Sequence, residues 1–427
     1  MRKLSMRRRS ADTGRDAISR PAQPHVRGAG FRAALRRSLK LALAVSLAAG
    51  LTGCWSKQEL NDRTFVSTLL IDLNEQGETE VSTLFILPNR ISIGLNAAPG
   101  SQKPYVLMTG KGRDIAEAFQ RIQRDLPRNI SWGQMRAIII GDRYARAGLA
   151  PIFDYLIRAT DFRLRVYMFY YDGVARELAR LTPIFERFPT EVWRESAHSR
   201  RLPPVSIRDL LYAQWNNLGD AYIPELTLRE LRLLTEDKLV EWSGAGGAAI
   251  MRDNKVIGKF TEEEAMGISF MEGRTAEMAL TSALPEGGGL FSVRLVDLRP
   301  RTTAYRRGSK VVVRVSIFGK ADIVSIQSNT DLGKLAGMRT IEQALNARIA
   351  RIGQSAADKA EAVQADVFQW SEFMRYKYPS LWRQVRAGPR VQLFTQMETI
   401  VDAHVELRST GVGRSSKQSQ PKGGLRQ

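Results

Sequence analysis

The sequence predicts a mixed α/β protein in three consecutive segments behind an N-terminal export segment. Three observations predict it. β-rich runs alternate with amphipathic helical runs along most of the chain, the pattern of helices laid on a mixed sheet. Proline and glycine clusters break the chain near Arg201 ("RLPPVS") and near Pro285 ("PEGGG"). An apolar run, Leu39 to Leu51, ends just ahead of the only cysteine, Cys54. At 427 residues the chain exceeds what one hydrophobic core supports.

The elements follow in order. Phe65 to Leu73 and Thr79 to Leu87 are strand-like and flank "NEQGE", which makes them a hairpin. Asp114 can cap a helix whose apolar positions Ile115, Phe119, Ile122 and Leu126 lie three or four apart, before Pro127 ends it. "RAIIIG" (136–141) reads as a buried strand, "AGLAPIFDYLIRA" as a helix and "RLRVYMFYYDG" (163–173) as another strand. After the first break, "SIRDLLYAQW" is a short helix and residues 238–260 are strands turning at Arg252-Asp253-Asn254. Thr261 with Glu264 forms a capping box that starts a helix. After the second break, "LFSVRLVDL" and "KVVVRVSIFG" are half-buried strands. A long helix carries Leu332, Leu335, Met338, Ile341, Leu345, Ile349 and Ile352 on one stripe. Asp366 to Trp382 is aromatic and helical as far as Pro379, with Arg375, Lys377 and Arg383 interleaved, and reads as a core stripe in preference to a nucleic-acid or headgroup surface. "TIVDAHVELRSTG" is the last strand, and the Gly/Ser/Lys-rich tail is of disordered composition.

The net charge of +20 invites a nucleic-acid reading. Its distribution argues against one. Residues 1–40 hold 12 basic residues against Asp12 and Asp16, so half the excess precedes the apolar run. The remaining body is mildly basic, which suits an anionic membrane surface at least as well. A single cysteine excludes a disulfide framework and a Cys-rich zinc site. His25, His198 and His404 lie far apart, so no metal is expected. Gly244, Gly246 and Ala249 match a GxGxxA dinucleotide fingerprint only formally, because a strand and hairpin follow where a helix is required. Close backbone packing or a bulge explains these glycines better. Glu262, Glu263 and Glu264 face the positive end of a helix dipole, which accounts for them without acid catalysis.

The basic stretch followed by a short apolar run has the form of an export signal, with an n-region long enough that a start codon downstream of Met1 is one explanation. Leu51-Thr52-Gly53-Cys54 resembles the bacterial lipobox. A thiolate there can take a diacylglyceryl group as a thioether, and each buried methylene contributes about 0.8 kcal/mol to anchoring. Cleavage before Cys54 would make it the first residue of the mature chain.

In order, "LTGCWSKQELND", "VSTLLIDL", "PNRISIG", "MTGKGRDIAEAF", "RAIIIGDRYARAGLAPIFDYLIRATDFRLRVYMF", "VIGKFTEEEAMGISFMEG", "AVQADVFQWSEFMRYKYPSLW" and "VELRSTG" resemble the Ger(x)C family, the C-subunit lipoproteins of nutrient germinant receptors. The resemblance covers roughly Leu51 to Gly411. Departures stand at Gln134, where the family often has histidine, at Trp370 and Ser371, where glycine is common, and in "RAGPRVQLF", which lacks a family tryptophan.

The resemblance implies three consecutive α/β domains, set here at 54–200, 201–285 and 286–412, between a signal peptide (1–53) and a basic tail (413–427). It implies a lipid on Cys54 as the one site, with no catalytic, cofactor or metal residues, and no nucleic-acid partner. The partners it implies are a multi-pass A subunit, a permease-like B subunit and the outer face of the spore's inner membrane. Two other readings stand beside it: an extracytoplasmic enzyme, for which no HExxH or nucleophile elbow is present, and a solute-binding lipoprotein, which requires two Rossmann-like lobes around a cleft.

Overall fold

Alternating apolar residues at 63–73 and 79–86 give the first two strands of a mixed sheet, and the computed structural model shows how the chain continues from them. It describes residues 28–50, 60–90, 103–159, 161–216, 219–275, 277–285, 288–327 and 334–409. Leu332 and the tail from 413 lie outside these residues. Helix α1 (Gly28–Gly50) belongs to a separate unit of the chain, residues 1–59. Its second half is the apolar run, and it extends back through Arg32, Arg36 and Arg37. Among the described residues no helix is long and apolar enough to cross a membrane.

The body, residues 60–427, forms the other unit. In chain order it contains β1 (Arg63–Leu73), β2 (Thr79–Ile86), β3 (Tyr105–Gly112), α2 (Ile115–Arg124), β4 (Asn129–Ser131), β5 (Ala137–Gly141), α3 (Asp142–Ala147), α4 (Ala150–Arg158) and β6 (Tyr167–Tyr171). There follow α5 (Pro189–His198), α6 (Ile207–Asn216), β7 (Ala221–Leu233), β8 (Lys238–Arg252), β9 (Lys255–Phe260), α7 (Glu262–Glu272) and β10 (Met278–Ala283). The chain ends on β11 (Leu290–Arg307), β12 (Lys310–Gln327), α8 (Leu335–Ala362), α9 (Ser371–Lys377), α10 (Pro379–Ala387), α11 (Val391–Thr395) and β13 (Met397–Ser409).

Two mixed sheets result, as the alternation predicted. The first runs β3-β2-β1-β5-β6-β7-β8-β9, with β4 beside β1, and it is parallel from β1 through β5 and β6 to β7 and antiparallel on both flanks. The second runs β10-β11-β12-β13 and is parallel only between β12 and β13. Residues 201–285 supply β7, β8 and β9 to the first sheet, joined to β6 through two residue pairs, Tyr170 with Glu225 and Tyr171 with Leu226. They also supply β10 to the second.

Local chemistry sets the helix ends. The Asp114 carboxylate accepts the Glu117 N–H at 2.8 Å and starts α2. Thr261 and Glu264 close the predicted capping box on α7, and Gly273 ends that helix in the left-handed region. Asp253 and Asn254, both at positive φ, form the tight turn between β8 and β9.

Several elements differ from their sequence reading. The aromatic helix α9 ends at Lys377, just ahead of Pro379 as read, but Pro379 then stands at the first position of a further helix, α10, where its missing N–H costs nothing. β6 begins only at Tyr167, because Val166 N–H closes a turn on the Arg163 carbonyl. The stripe on α8 is buried from Ile341 onward through Leu345, Ile349 and Ile352, whereas Leu335 is exposed. β3, which carries Gly110 and Gly112, is not among the strands read from the sequence. A Cβ on Gly110 would lie 2.2 Å from the Ala118 carbonyl, so α2 can rest on this strand only if the side chain is absent. β7 is likewise not among those strands, and it contains Pro224. The proline is accommodated beside a bulge, where the register slips between Pro224 and Leu226.

Helix α7 meets α8 at similarly short range. A Cβ on Gly267 would lie 2.5 Å from the Ile352 carbonyl oxygen, a backbone atom that cannot turn away. Gly267→Ala should therefore destabilise the body by about 1 to 3 kcal/mol despite alanine's higher helix propensity. Gly133→Ala, whose Cβ meets nothing within 4 Å, should change stability little. Urea unfolding of both variants checks this, and equal midpoints would contradict the close helix contact.

Candidate functional site

In open α/β sheets, ligands bind beyond the carboxyl ends of the parallel strands. Here those ends carry a dense ionisable cluster. Asp72, on β1, is buried and accepts the N–H groups of Ala175 at 2.8 Å and Arg176 at 3.3 Å. Gly141 at the end of β5 leaves it room, since a Cβ there would stand 1.9 Å from an Asp72 oxygen. Burial pushes the Asp72 carboxyl up to about 6, against the pull of those two hydrogen bonds. Buried Glu80 pairs with Arg176 at 2.6 Å and Lys111 at 3.5 Å. The Tyr170 hydroxyl donates to Asp142 at 2.6 Å, and Asp142 pairs with Arg146. Lys259 bridges Asp172 at 2.6 Å and Glu225 at 3.0 Å. Its hydrogen bond holds the Asp172 carboxyl below the usual range. Each of these carboxylates is engaged by a cation or a backbone amide. The arrangement locks strand ends together and presents no isolated base or nucleophile.

A second polar centre joins the two sheets. Asp220, with no exposed surface, accepts the backbone N–H groups of Asp366 at 2.9 Å and Asp253 at 3.2 Å, and forms an ion pair with Arg390. Arg390 also pairs with Asp253 and donates to the Gln364 carbonyl at 3.3 Å. Arg252 donates to the Val363 carbonyl at 2.8 Å. Asp366, itself buried, accepts the N–H groups of Trp370 at 2.8 Å and Ser371 at 2.9 Å. The β8–β9 turn of the first sheet is thereby clasped to the segment that follows α8. Burial raises both carboxyl groups, Asp366 to about 7.

The sequence marks the Arg252-Asp253-Asn254 turn, and Asp366 only as the start of an aromatic segment, but not Asp220 or Arg390. Those two lie far apart in the chain, and nothing local marks them as partners. At the family departures, Gln134 accepts a hydrogen bond from Arg136 at 3.1 Å, and Trp370 stacks on Phe368 at 4.4 Å.

Cys54 lies outside the described residues. Gly244, Gly246 and Ala249 sit within β8, where Gly246 and Gly247 together face Glu225 across the bulge. A Cβ on Gly247 would meet the Phe260 carbonyl at 1.8 Å, so close backbone packing accounts for the glycines. Glu262 pairs with Arg229, Glu263 with Arg348, and Glu264 completes the cap. His404 stacks on Phe318. Among the described residues no group of three or more His, Cys, Asp or Glu side chains could hold a metal.

Residues 56–228 match the description "Spore germination protein N-terminal domain", and residues 246–411 match "Spore germination B3/ GerAC like, C-terminal". The chain belongs to the Ger(x)C family of spore germination proteins. It is 25% identical over 318 residues to "Putative spore germination protein YfkR" of Bacillus subtilis (strain 168), covering 74% of this chain and 82% of that protein. It is 19% identical over 396 residues to "Spore germination protein KC" of the same organism, covering 88% and 97%. The crystal structure of the GerBC protein superposes with a TM-score of 0.51 at 14% identity, covering 79% of this chain and 96% of that one, and shows the same fold. None of these descriptions names a catalysed reaction.

The clasp makes two predictions. Arg390→Leu leaves Asp220 buried and unpaired and should cost about 3 to 5 kcal/mol in urea unfolding, part of which Asp220→Asn in the same chain should restore. The second concerns pH. A carboxyl whose folded pKa of about 7 exceeds its ordinary 3.8 binds its proton more tightly in the folded state. Its stabilising contribution is therefore full below about pH 4 and is lost as pH rises toward 7. Asp366→Asn should reduce the fall in stability between pH 5 and 8 by an amount on the order of 2 kcal/mol, leaving the part due to the other raised carboxyl groups, Asp72 and Asp220 among them. An unchanged pH profile in the variant would contradict the raised carboxyl.

Proposed function

We propose that this chain is the C subunit of a nutrient germinant receptor, an exported lipoprotein with a non-enzymatic body. Diacylglyceryl on Cys54 tethers it to the outer face of the spore's inner membrane. There it scaffolds a multi-pass A subunit and a permease-like B subunit that convert nutrient detection into release of the spore's ions and solutes. The observation that carries this reading is the presence of both family segments, in order, over 56–228 and 246–411.

The internal chemistry supports a structural role. Ionisable groups at the strand ends, where an α/β enzyme would place its catalytic residues, are consumed in ion pairs and backbone hydrogen bonds. The lipobox-like Leu51-Thr52-Gly53-Cys54 supports the tether.

Deleting the gene should abolish the response to a subset of nutrients and leave dormant spores intact, and the wild-type gene should restore that response. Cys54→Ser should take up no fatty-acid label, leave the membrane fraction and fail to restore germination. Persistence of germination with every nutrient in the deletion strain would overturn the receptor role. Equal labelling of Cys54→Ser and wild type would overturn the tether.

A further inference from the structure

We infer that the α6–α9–α10 face is a second membrane contact, one that recognises the phosphodiester headgroups of anionic phospholipid. Arg375, Pro379, Trp382, Arg383 and Arg386 line a wide, shallow depression of about 550 Å³. Among the described residues none of its three arginines has a carboxylate within ion-pairing distance, unlike the arginines of the strand-end cluster and the clasp. Arg386 lies over the Trp382 ring at 6.0 Å and Arg375 over the Tyr376 ring at 5.4 Å, contacts that hold each guanidinium without satisfying its five donors. Arg383 reaches only the Pro379 carbonyl, at 3.4 Å.

Residues 371–388 hold four basic side chains and one acid, Glu372. That acid is bound by the Tyr212 hydroxyl at 2.9 Å, which brings α6 beside α9. Large exposed aromatics stand at this junction, Tyr376 at 69% and Tyr212 at 43% exposed, and Trp215, 65% exposed, follows one turn beyond Tyr212 on α6. Unpaired arginines match phosphate in charge and fork geometry. Exposed Trp and Tyr are the side chains that settle at the headgroup level of a bilayer. The inference rests on the membrane-tethered reading for its setting and adds how the body lies against the bilayer.

The test uses residues 55–411, which lack Cys54 and the basic tail but keep both family segments and every buried apolar residue described, Val66 to Val405. The fragment should sediment with vesicles of phosphatidylcholine containing about one-third phosphatidylglycerol and not with phosphatidylcholine alone. Arg375→Gln/Arg383→Gln/Arg386→Gln should weaken partitioning about tenfold or more. Replacing the same three arginines by lysine should retain it. Removing equal charge from exposed Arg124, Arg128 and Arg165 should change it less than about twofold, and Trp215→Ser/Tyr376→Ser should also weaken it.

Equal loss in the control triple would reduce the effect to net charge and overturn the site. Competition by free inorganic phosphate at equal phosphate concentration would overturn the lipid surface in favour of a soluble anion. Absence of vesicle binding, with retention on an immobilised acidic polypeptide that the glutamine triple abolishes, would assign the face to a protein partner and overturn the inference. Germination phenotypes report separately on the receptor role, so either idea can fail alone.

Discussion

A carboxylate with no exposed surface, Asp220, fixes how the last part of the body sits on the first. It has two oxygens and engages three donors, the amides of Asp253 and Asp366 and the guanidinium of Arg390. A buried charge of this kind is costly unless every lone pair is met. Holding three donors on one carboxylate leaves little freedom in the placement of the β8–β9 turn against the segment after α8. The rest of the joint is apolar and tight. Gly267 lets α7 approach the backbone of α8, and Gly353 leaves room on α8 for the Val401 side chain of β13. The polar clasp supplies direction and the glycine contacts supply proximity, which together suit the rigid body that the proposed scaffold role requires.

Local pattern carried much of the fold. The Asp114 cap, the Thr261 capping box, the Asp253-Asn254 turn and the buried run "AIIIG" depend on residues within a few positions of one another, and all are found where the sequence places them. Elements that break local rules were illegible because their reasons lie elsewhere in the chain. Gly110 makes β3 look like a loop until α2 is known to press on it. Pro224 argues against a strand until the bulge opposite Gly246 and Gly247 is seen. Pro379 ends one helix pattern and opens the next, two outcomes that the same residue permits.

The candidate sites divide in the same way. Cys54 was picked out from a contiguous lipobox-like segment, and it lies outside the described residues. Asp366 was marked only as the start of an aromatic segment, and its partners Asp220 and Arg390 were not visible at all, since a tertiary ion pair leaves no spacing rule. The aromatic and basic residues from Asp366 to Trp382 serve two purposes. Val367, Trp370, Met374 and Trp382 are buried, as a core stripe requires, whereas Tyr376, Lys377, Arg383 and Arg386 remain on the surface. Helical spacing alone separates these two faces only once the break at Tyr378 is placed.

The central claim is that this chain works as one subunit of a membrane receptor. Affinity purification of a tagged copy from the inner membranes of dormant spores, followed by identification of the proteins that accompany it, tests the claim most directly. The account predicts that a multi-pass A subunit and a permease-like B subunit co-purify in comparable amounts. Recovery of the protein without either membrane subunit, from spores in which both are present, would contradict it.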